Sequence, residues 1–245
     1  MFKKIFKNKK VIVTGHTGFK GSWLSIWLKS LGAKVLGISI DIPTNPSLFK
    51  QTNILSGEND KRFNLSNIKT LNKTIKNYKP DYLFHLAAQS LVSKSFKDPI
   101  TTWHTNVIGT LNILNSLRNI NQKCIAIIIT SDKCYKNIEV KRGYKENDEL
   151  GGFDPYSASK GAAEIVFKSY FKSYFSKKNC KVRIATARAG NVIGGGDWAS
   201  DRLIPDCIRA WSKSKIVNLR NPKSTRPWQH VLEPLSGYMW LAKSL

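Results

Sequence analysis

The residues predict an α/β fold, a doubly wound parallel sheet with a smaller, incomplete C-terminal lobe. Three observations carry this: short apolar runs recur along the chain, segments of helical period separate them, and a glycine-rich turn follows the first run. Runs without polar alternation suit strands covered on both faces. Strands alternating with helices impose right-handed crossovers and therefore a parallel sheet.

In chain order, "VIVTG" (11–15), "AKVLGISID" (33–41), "YLFHLAA" (82–88), "IAIIITS" (125–131) and "VRIATARAG" (182–190) read as strands, with "RFNL" (62–65) a weaker candidate. Helices are expected near 19–31, 66–77, 99–118 and 155–178. After residue 190 the regularity gives way. "NVIGGGDWASDRLIPD" is glycine-rich and polar, a helix follows, and "NPKSTRPWQHVLEP" reads as loops over a site. This divides the chain into 1–188, a nucleotide-binding domain, and 189–245, a substrate-binding segment. "SGYMWLAKSL" stays apolar to the last residue, so an interrupted helix and a truncated polypeptide are expected. "MFKKIFKNKK" has charge but no long apolar core behind it, and reads as a solvated lead-in to the first strand.

A chain of 245 residues with 41% hydrophobic content suits one large domain or one and a half. No stretch approaches the ~20 continuous apolar residues of a membrane span. A net charge of +24 raises the question of nucleic acid. The lysines are spread over outer helix faces, however, and no basic–aromatic module repeats. A lysine-rich coding bias accounts for them, and the charge would still help collect an anionic substrate. Cys124, Cys134, Cys180 and Cys207 form no C-x-x-C pair. Three lie in apolar or helical stretches that suit buried thiols, so neither zinc site nor disulfide is expected, as befits a cytoplasmic protein.

"VIVTGHTGFKGSWL" (11–24) approaches the triphosphate loop G-x-x-x-x-G-K-[ST], but Lys20 and Gly21 are transposed. Read as G-x-x-G-x-x-G between strand and helix, the stretch fits a dinucleotide. Gly15 permits the tight turn, Gly18 lets backbone approach a pyrophosphate, and Gly21 lets helix and strand pack closely. The helix N-terminus adds N–H groups and partial positive charge. Asp41, ending the second strand, suits the adenosine ribose hydroxyls and repels a 2′-phosphate, which favours NAD over NADP. Asn64 could accept from the adenine amino group, and serves equally well as a turn residue.

"YSASK" puts Tyr156 and Lys160 four apart, on one helix face. A phenol ionises near pH 10; an ammonium one turn away favours the phenolate. Such a pair can take an alcohol proton as hydride leaves. "TSDKCY" (130–135) follows a buried strand, so its side chains emerge at the carboxyl end, where open α/β sheets bind ligands. Ser131 can hydrogen-bond the reacting oxygen, while Asp132 and Lys133 offer an acid and a cation. Trp23 and Trp27, one turn apart, read as core or interface, and His104 beside Trp103 as packing.

The glycine turn, "HLAAQS", "NVIGT", "TSD" and "YSASK" together resemble the extended short-chain dehydrogenase/reductase family over nearly the whole chain. "GHTGFKGSWL", "PTNPSLF", "TSDKCY", "NVIGGGDWA-DRLIPD" and "RPWQHVLEPLSGY" are similar, more narrowly, to its CDP-glucose 4,6-dehydratase branch. The resemblance implies a Rossmann fold and NAD as a recycled cofactor. It places Gly15, Thr17, Gly18, Phe19 and Gly21 along the dinucleotide, with Asp41, Asn64 and Leu65 toward its adenosine. Leu86, Ala87 and Ala88 would line it, and Tyr156 and Lys160 would meet its nicotinamide end. Gln89, Ser131, Asn191, Arg202 and Arg226 would hold a nucleotide sugar, arginine's planar fork suiting phosphate.

By the same resemblance Tyr156, Lys160 and Ser131 remove the 4-hydroxyl proton, Asp132 protonates the departing 6-hydroxyl, and Lys133 takes the position where many relatives carry a glutamate base. Lysine there fits the CDP-glucose branch. It would act as a base if burial kept it neutral, or otherwise by stabilising an enolate. His85 and His230 match family motifs and serve equally as structural hydrogen-bonding residues. Helices 99–118 and 155–178 resemble a four-helix dimer contact. Two other readings stand beside this one: a sugar-nucleotide 4-epimerase, which needs no "SDK" acid and base, and a non-catalytic nucleotide- or nucleic-acid-binding protein. No metal is expected.

Overall fold

The computed structural model describes residues 2–219 and 221–245. In chain order it contains α1 (Lys3–Phe6), β1 (Lys10–Thr14), α2 (Phe19–Ser30), β2 (Lys34–Ser39), α3 (Leu48–Thr52), β3 (Asp60–Arg62), α4 (Ile68–Tyr78) and β4 (Tyr82–His85). Next come α5 (Val92–Lys97), α6 (Pro99–Trp103), a π-helical turn at His104–Ile108, α7 (Gly109–Arg118) and β5 (Cys124–Ile129). Then follow α8 (Pro155–Tyr170), β6 (Val182–Ala187), β7 (Val192–Ile193), α9 (Leu203–Trp211), β8 (Gln229–His230) and α10 (Leu232–Ser244).

Six strands form one sheet in the order β3-β2-β1-β4-β5-β6, every pair parallel. The expected doubly wound sheet is therefore present. Its order reverses direction between β1 and β4, the switch point where such sheets open a crevice. Side-chain alternation sorts the strands between two cores. Val11, Val13, Phe84, Ile127 and Ile129 face one side, packing with Leu24 and Leu28 of α2 and Leu235 and Met239 of α10. Ile12, Leu36, Ile38, Leu83 and Ile128 face the other, against Leu71 and Ile75 of α4, and Ile113, Leu114 and Leu117 of α7. Each such buried aliphatic contributes about 1.5–3 kcal/mol.

The helix starts are chemically specified. Asp98 accepts from Thr101 N–H at 3.0 Å with Pro99 following, Asn67 accepts from Thr70 N–H at 3.1 Å, and Asp154 accepts from Ser157 N–H at 2.9 Å with Pro155 following. A side-chain oxygen in each satisfies an otherwise orphaned amide, and proline sits where no amide is needed.

Several expectations shift. The third strand lies at 60–62 rather than 62–65, because Phe63 to Asn67 turn into α4. The 99–118 helix is divided by its π-helical turn, and the 155–178 helix ends in another at Phe171–Phe175. The N-terminal segment is solvated on its lysine side only, and its aromatic face is packed. Phe6 is fully buried, and the Phe2 ring meets Trp27 at 5.9 Å and Trp240 at 5.8 Å. Spacing explains this: phenylalanines at 2 and 6 share a face, while Lys3 and Lys4 point outward. The segment from 189 onward forms a separate two-stranded parallel pair, β7–β8, but α10 returns to the main sheet's first core. Among the described residues no helix is long and apolar enough to cross a membrane. All four cysteines are free; Cys124, Cys134 and Cys207 are buried.

Candidate active site

Because all six strands run the same way, the turns after β1, β2, β4, β5 and β6 open along one edge. The glycine turn lies there, and its three glycines have different reasons. Gly15 has φ +74°, and a Cβ on it would lie 2.7 Å from the Ala87 amide nitrogen. A Cβ on Gly21 would lie 2.0 Å from the Gly15 carbonyl oxygen, so α2 can approach the turn only without one. Gly18 is ordinary in backbone (φ −75°), and a Cβ there would meet only the Gly15 oxygen, at 3.4 Å. The fold itself does not require glycine at 18; the surface above it is open to a ligand that approaches backbone. No side chain caps α2, which leaves its first amides to that ligand. This cradle fits a dinucleotide pyrophosphate.

At the end of β5, Ser131 is buried and heads a short helical turn through Cys134. Its hydroxyl donates to Asp132 Oδ1 at 3.1 Å and accepts from Lys133 N–H at 3.2 Å. Lys133 Nζ pairs with Asp132 Oδ2 at 2.6 Å. The Lys133 side chain is 39% exposed and lies directly against the Asp132 carboxylate.

Tyr156 and Lys160, in the first turns of α8, are both buried. Burial raises the Tyr156 pKa; Asp132 and Asp154 add to this, while hydrogen bonding with Ser131 and the charge of Arg202 oppose it. The expectation that Lys160 would leave this phenol easily ionised is thus outweighed by desolvation. Lys160 itself is lowered to about 8, by burial first and then by the charge of Lys20, with Cys134 and Glu164 opposing.

Lys20 was legible only as a misplaced phosphate-loop lysine. Its side chain turns into the site, where Nζ donates to Tyr238 Oη at 3.3 Å. Burial and the Arg202 charge lower its pKa to about 8, and Asp132 opposes them. Tyr238, buried on α10, has its pKa raised by burial and by Tyr156. Glycine turn, α10, α8 and the β5 loop therefore converge on one volume. The transposition itself was the available signal for Lys20; nothing in the sequence marked Tyr238.

The remaining candidates divide. Asp41 is exposed at the end of β2, its carbonyl accepting from Thr17 Oγ1 at 2.6 Å and Arg62 Nη1 at 3.0 Å. Asn64 Oδ1 accepts from Ser66 N–H at 2.9 Å, a turn contact. Leu65 is buried in the second core. Leu86 and Ala87 run beside the glycine turn, their N–H groups bound to Thr14 at 3.1 and 3.2 Å, and Ala88 follows them half-buried. Phe19 packs at the edge of the first core.

Gln89 is occupied internally: its amide donates to Leu91 O and Thr102 Oγ1 and accepts from Leu91 N–H. Asn106, in the π-helical turn, clamps the Gln89 backbone at 2.9 and 3.0 Å and donates to Ser159 Oγ at 2.9 Å. It joins the β4 loop to α8; only its place in "NVIGT" pointed to it. Arg202 pairs with Asp197 at 2.8 Å and reaches Ser90 Oγ at 3.2 Å. Asn191 is half-buried beside β7, its carbonyl bound by Gln229 N–H. Arg226 is exposed and donates to Thr225 O.

His85 is buried between Thr14 Oγ1 at 2.7 Å and Thr110 Oγ1 at 3.2 Å, and burial lowers its pKa to about 3. His230 Nδ1 accepts from Leu232 N–H at 3.4 Å. His104 is exposed rather than packed, because Thr102 and Asn106 carry the inward face of that segment. Trp23 donates to Gly195 O at 2.8 Å, and Trp27 joins the core with Phe2. Among the described residues no cluster could hold a metal.

Comparison with known proteins agrees with this geometry. The chain is 48% identical to a CDP-glucose 4,6-dehydratase of Salmonella typhimurium over 99% of its own length and 68% of that protein's. It is 27% identical to a dTDP-D-glucose 4,6-dehydratase of Dictyostelium discoideum, spanning 54% of that protein. An epimerase from Methanothermobacter thermautotrophicus superposes with a TM-score of 0.83 at 23% identity, covering 98% of this chain and 69% of that one, which supports the fold. A dTDP-glucose 4,6-dehydratase from Streptomyces venezuelae, solved with NAD and TYD bound, gives 0.81 at 21% identity, covering 95% and 72%. Residues 12–244 match the family described as GDP-mannose 4,6 dehydratase, and the chain belongs to that family, within the extended short-chain dehydrogenase/reductases.

Proposed function

We propose that the protein is an NAD-dependent dehydratase of a nucleoside diphosphate glucose, CDP-glucose in particular, yielding the 4-keto-6-deoxy sugar. The observation that carries this is the meeting of Ser131, Asp132 and Lys133 with Tyr156 and Lys160 beside the glycine cradle. The base and sugar assignments draw on the resemblance to the Salmonella enzyme. Gly15, Thr17, Gly18, Phe19 and Gly21 would hold NAD, with Asp41 toward its ribose, and the bound cofactor would supply the hydride acceptor and the hydride that is returned.

The chain's own groups handle the protons. Tyr156 takes the proton of the sugar 4-hydroxyl, with Ser131 hydrogen-bonding the same oxygen, Arg202 favouring the phenolate by charge, and Lys160 one helical turn away to place the cofactor end of the site. Once carbon 4 is a ketone, the proton on carbon 5 becomes acidic. Lys133 and Asp132, joined by their ion pair, handle the elimination together: Lys133 passes a proton to Asp132 and takes the carbon 5 proton in its place, while Asp132 gives the first proton to the 6-hydroxyl, which departs as water. Arg202 and Asn191 face the diphosphate side, with Arg226 farther out on its loop.

Residues 1–188 act as the cofactor-binding part and 189–245 as the substrate-binding part, with α10 closing the sheet. Exposed Ile100 and Trp103 of α6 and Ile165 of α8, with Phe96 and Phe171 beside them, support a homodimer through the 99–118 and 155–178 helical segments. A 4-epimerase would share Tyr156 and Lys160 but has no use for the Asp132–Lys133 pair. Incubation with CDP-, UDP-, GDP- and dTDP-glucose tests this: a 4-keto-6-deoxy product from CDP-glucose is expected, and a 4-epimer without loss of water would overturn it.

A further inference from the structure

Glu164 lies on α8 one turn beyond Lys160, and it is 4% exposed. A carboxylate this deep must be fully paired, because an unpaired buried charge is strongly destabilising. Its three partners come from the ends of two strands, β5 and β6. Oε1 accepts from Thr130 Oγ1. Oε2 accepts from Thr186 Oγ1 at 3.1 Å and from Arg188 Nη2 at 2.8 Å.

Those partners sit where the chemistry is placed. Thr130 immediately precedes Ser131, and the two strand ends are themselves joined by Thr130 N–H to Ala187 O at 3.0 Å and Asp132 N–H to Ala189 O at 3.1 Å. Arg188 goes further, donating to Glu146 O at 3.2 Å and stacking over the Tyr135 ring at 4.8 Å. One carboxylate thus fastens the helix bearing Tyr156 and Lys160 to the strand end bearing Ser131, Asp132 and Lys133. Through Arg188 it also fastens the 135–146 loop. Surface pairing would not explain this, since neither Glu164 nor Arg188 is exposed (4% and 16%).

We propose that Glu164 is a positioning residue of the dehydratase site. It sets the distance between the proton-accepting pair on α8 and the Ser131–Asp132–Lys133 turn, touching neither substrate nor cofactor. The proposal rests on the function argued above. Its consequence is a loss of reaction rate in folded enzyme, because small misplacement of reacting groups costs on the order of 10²-fold. Glu164→Gln keeps the volume and can bond Thr130 and Arg188; Glu164→Ala keeps neither.

The test is a rapid-quench single turnover of CDP-glucose by the NAD-loaded protein, following the 4-keto-6-deoxy product, with melting temperature and KM measured alongside. The rate constant, unlike the amplitude, does not depend on how much of the sample is folded. Glu164→Ala is expected to lower the rate constant roughly 30-fold or more, with KM within about threefold; Glu164→Gln should recover most of it. Thr186→Val, which removes one bond but leaves the Thr130 link, should stay within about twofold of the parent. Equal rate constants in parent and Glu164→Ala, with only amplitude or melting temperature reduced, would overturn the proposal alone. A parent that forms no 4-keto-6-deoxy product from any nucleotide sugar would instead overturn the dehydratase reading, and this proposal with it.

Discussion

Lys20 Nζ donates to Tyr238 Oη at 3.3 Å across 218 residues of sequence, joining the helix after the glycine turn to the last helix of the chain. Both groups would be costly alone: desolvation lowers the lysine's pKa to about 8 and raises the tyrosine's. Below about pH 8 the folded protein holds an enclosed ammonium that the unfolded chain would hydrate. Between about 8 and the ordinary 10.5 the unfolded chain binds more protons, so stability rises with pH. Lys160 titrates in the same window. Lys20→Met is therefore expected to raise stability at pH 7 by about 1–3 kcal/mol and to reduce the rise between pH 8 and 10 without abolishing it. Thermal melts across a buffer series check this; an unchanged slope would contradict it.

The glycine turn predicts a contrast between neighbours. Gly21→Ala forces a methyl to 2.0 Å from the Gly15 oxygen, and a destabilisation of roughly 3 kcal/mol or more is expected. Gly18→Ala meets no such contact within the chain. Its melting temperature should change by only a few degrees, while NAD affinity falls about tenfold as the methyl occupies the space of approach. Calorimetry and NAD titration on both variants decide it.

The catalytic turn predicts separable steps. Tyr156→Phe removes the proton acceptor and should lower kcat about 10²-fold or more, in the range of general acid–base contributions. Lys133→Met should leave NAD binding and 4-oxidation in place but slow water loss, so that reduced cofactor accumulates. Absorbance at 340 nm together with solvent deuterium incorporation at carbon 5 distinguishes the two. Full turnover by Lys133→Met would remove that residue from the mechanism.

His85 predicts behaviour in acid. Held between Thr14 and Thr110 with its pKa lowered to about 3 by burial and by Lys160, it remains neutral in the fold while the unfolded chain protonates near 6.5. The unfolded state binds more protons between those values, so stability falls as pH drops, by about 3 kcal/mol at pH 4 from this residue. His16, also lowered by burial, adds in the same direction. His85→Gln should flatten part of the acid limb in urea denaturation series. A limb as steep as the parent's would contradict the assignment.

The sheet, and which side chains gather at its carboxyl edge, were largely legible because each rests on local chemistry: apolar runs for β1, β4 and β5, glycines at 15, 18 and 21, and the Tyr156–Lys160 spacing. What escaped depends on distant partners. Phe2 and Phe6 were hidden among lysines, since only Trp27, Tyr82 and Trp240 give them something to bury against. Lys20 and Glu164 are charged residues on helices, and in a chain of +24 a buried charge reads like any surface one. β7 and β8, two residues each, are too short to show any period.

The contact between Phe2 and Trp240 also bears on how the polypeptide leaves the ribosome. The aromatic layer on that side of β1 and β4 cannot be sealed until residue 240 has emerged, although Phe6 and Val11 are made long before it. A nascent chain carries that greasy flank unshielded while the intervening residues are made, at roughly 5–20 residues per second. Chaperone dependence during expression is the expected outcome, and deleting residues 2–6 should ease the wait while leaving the finished molecule less firmly closed.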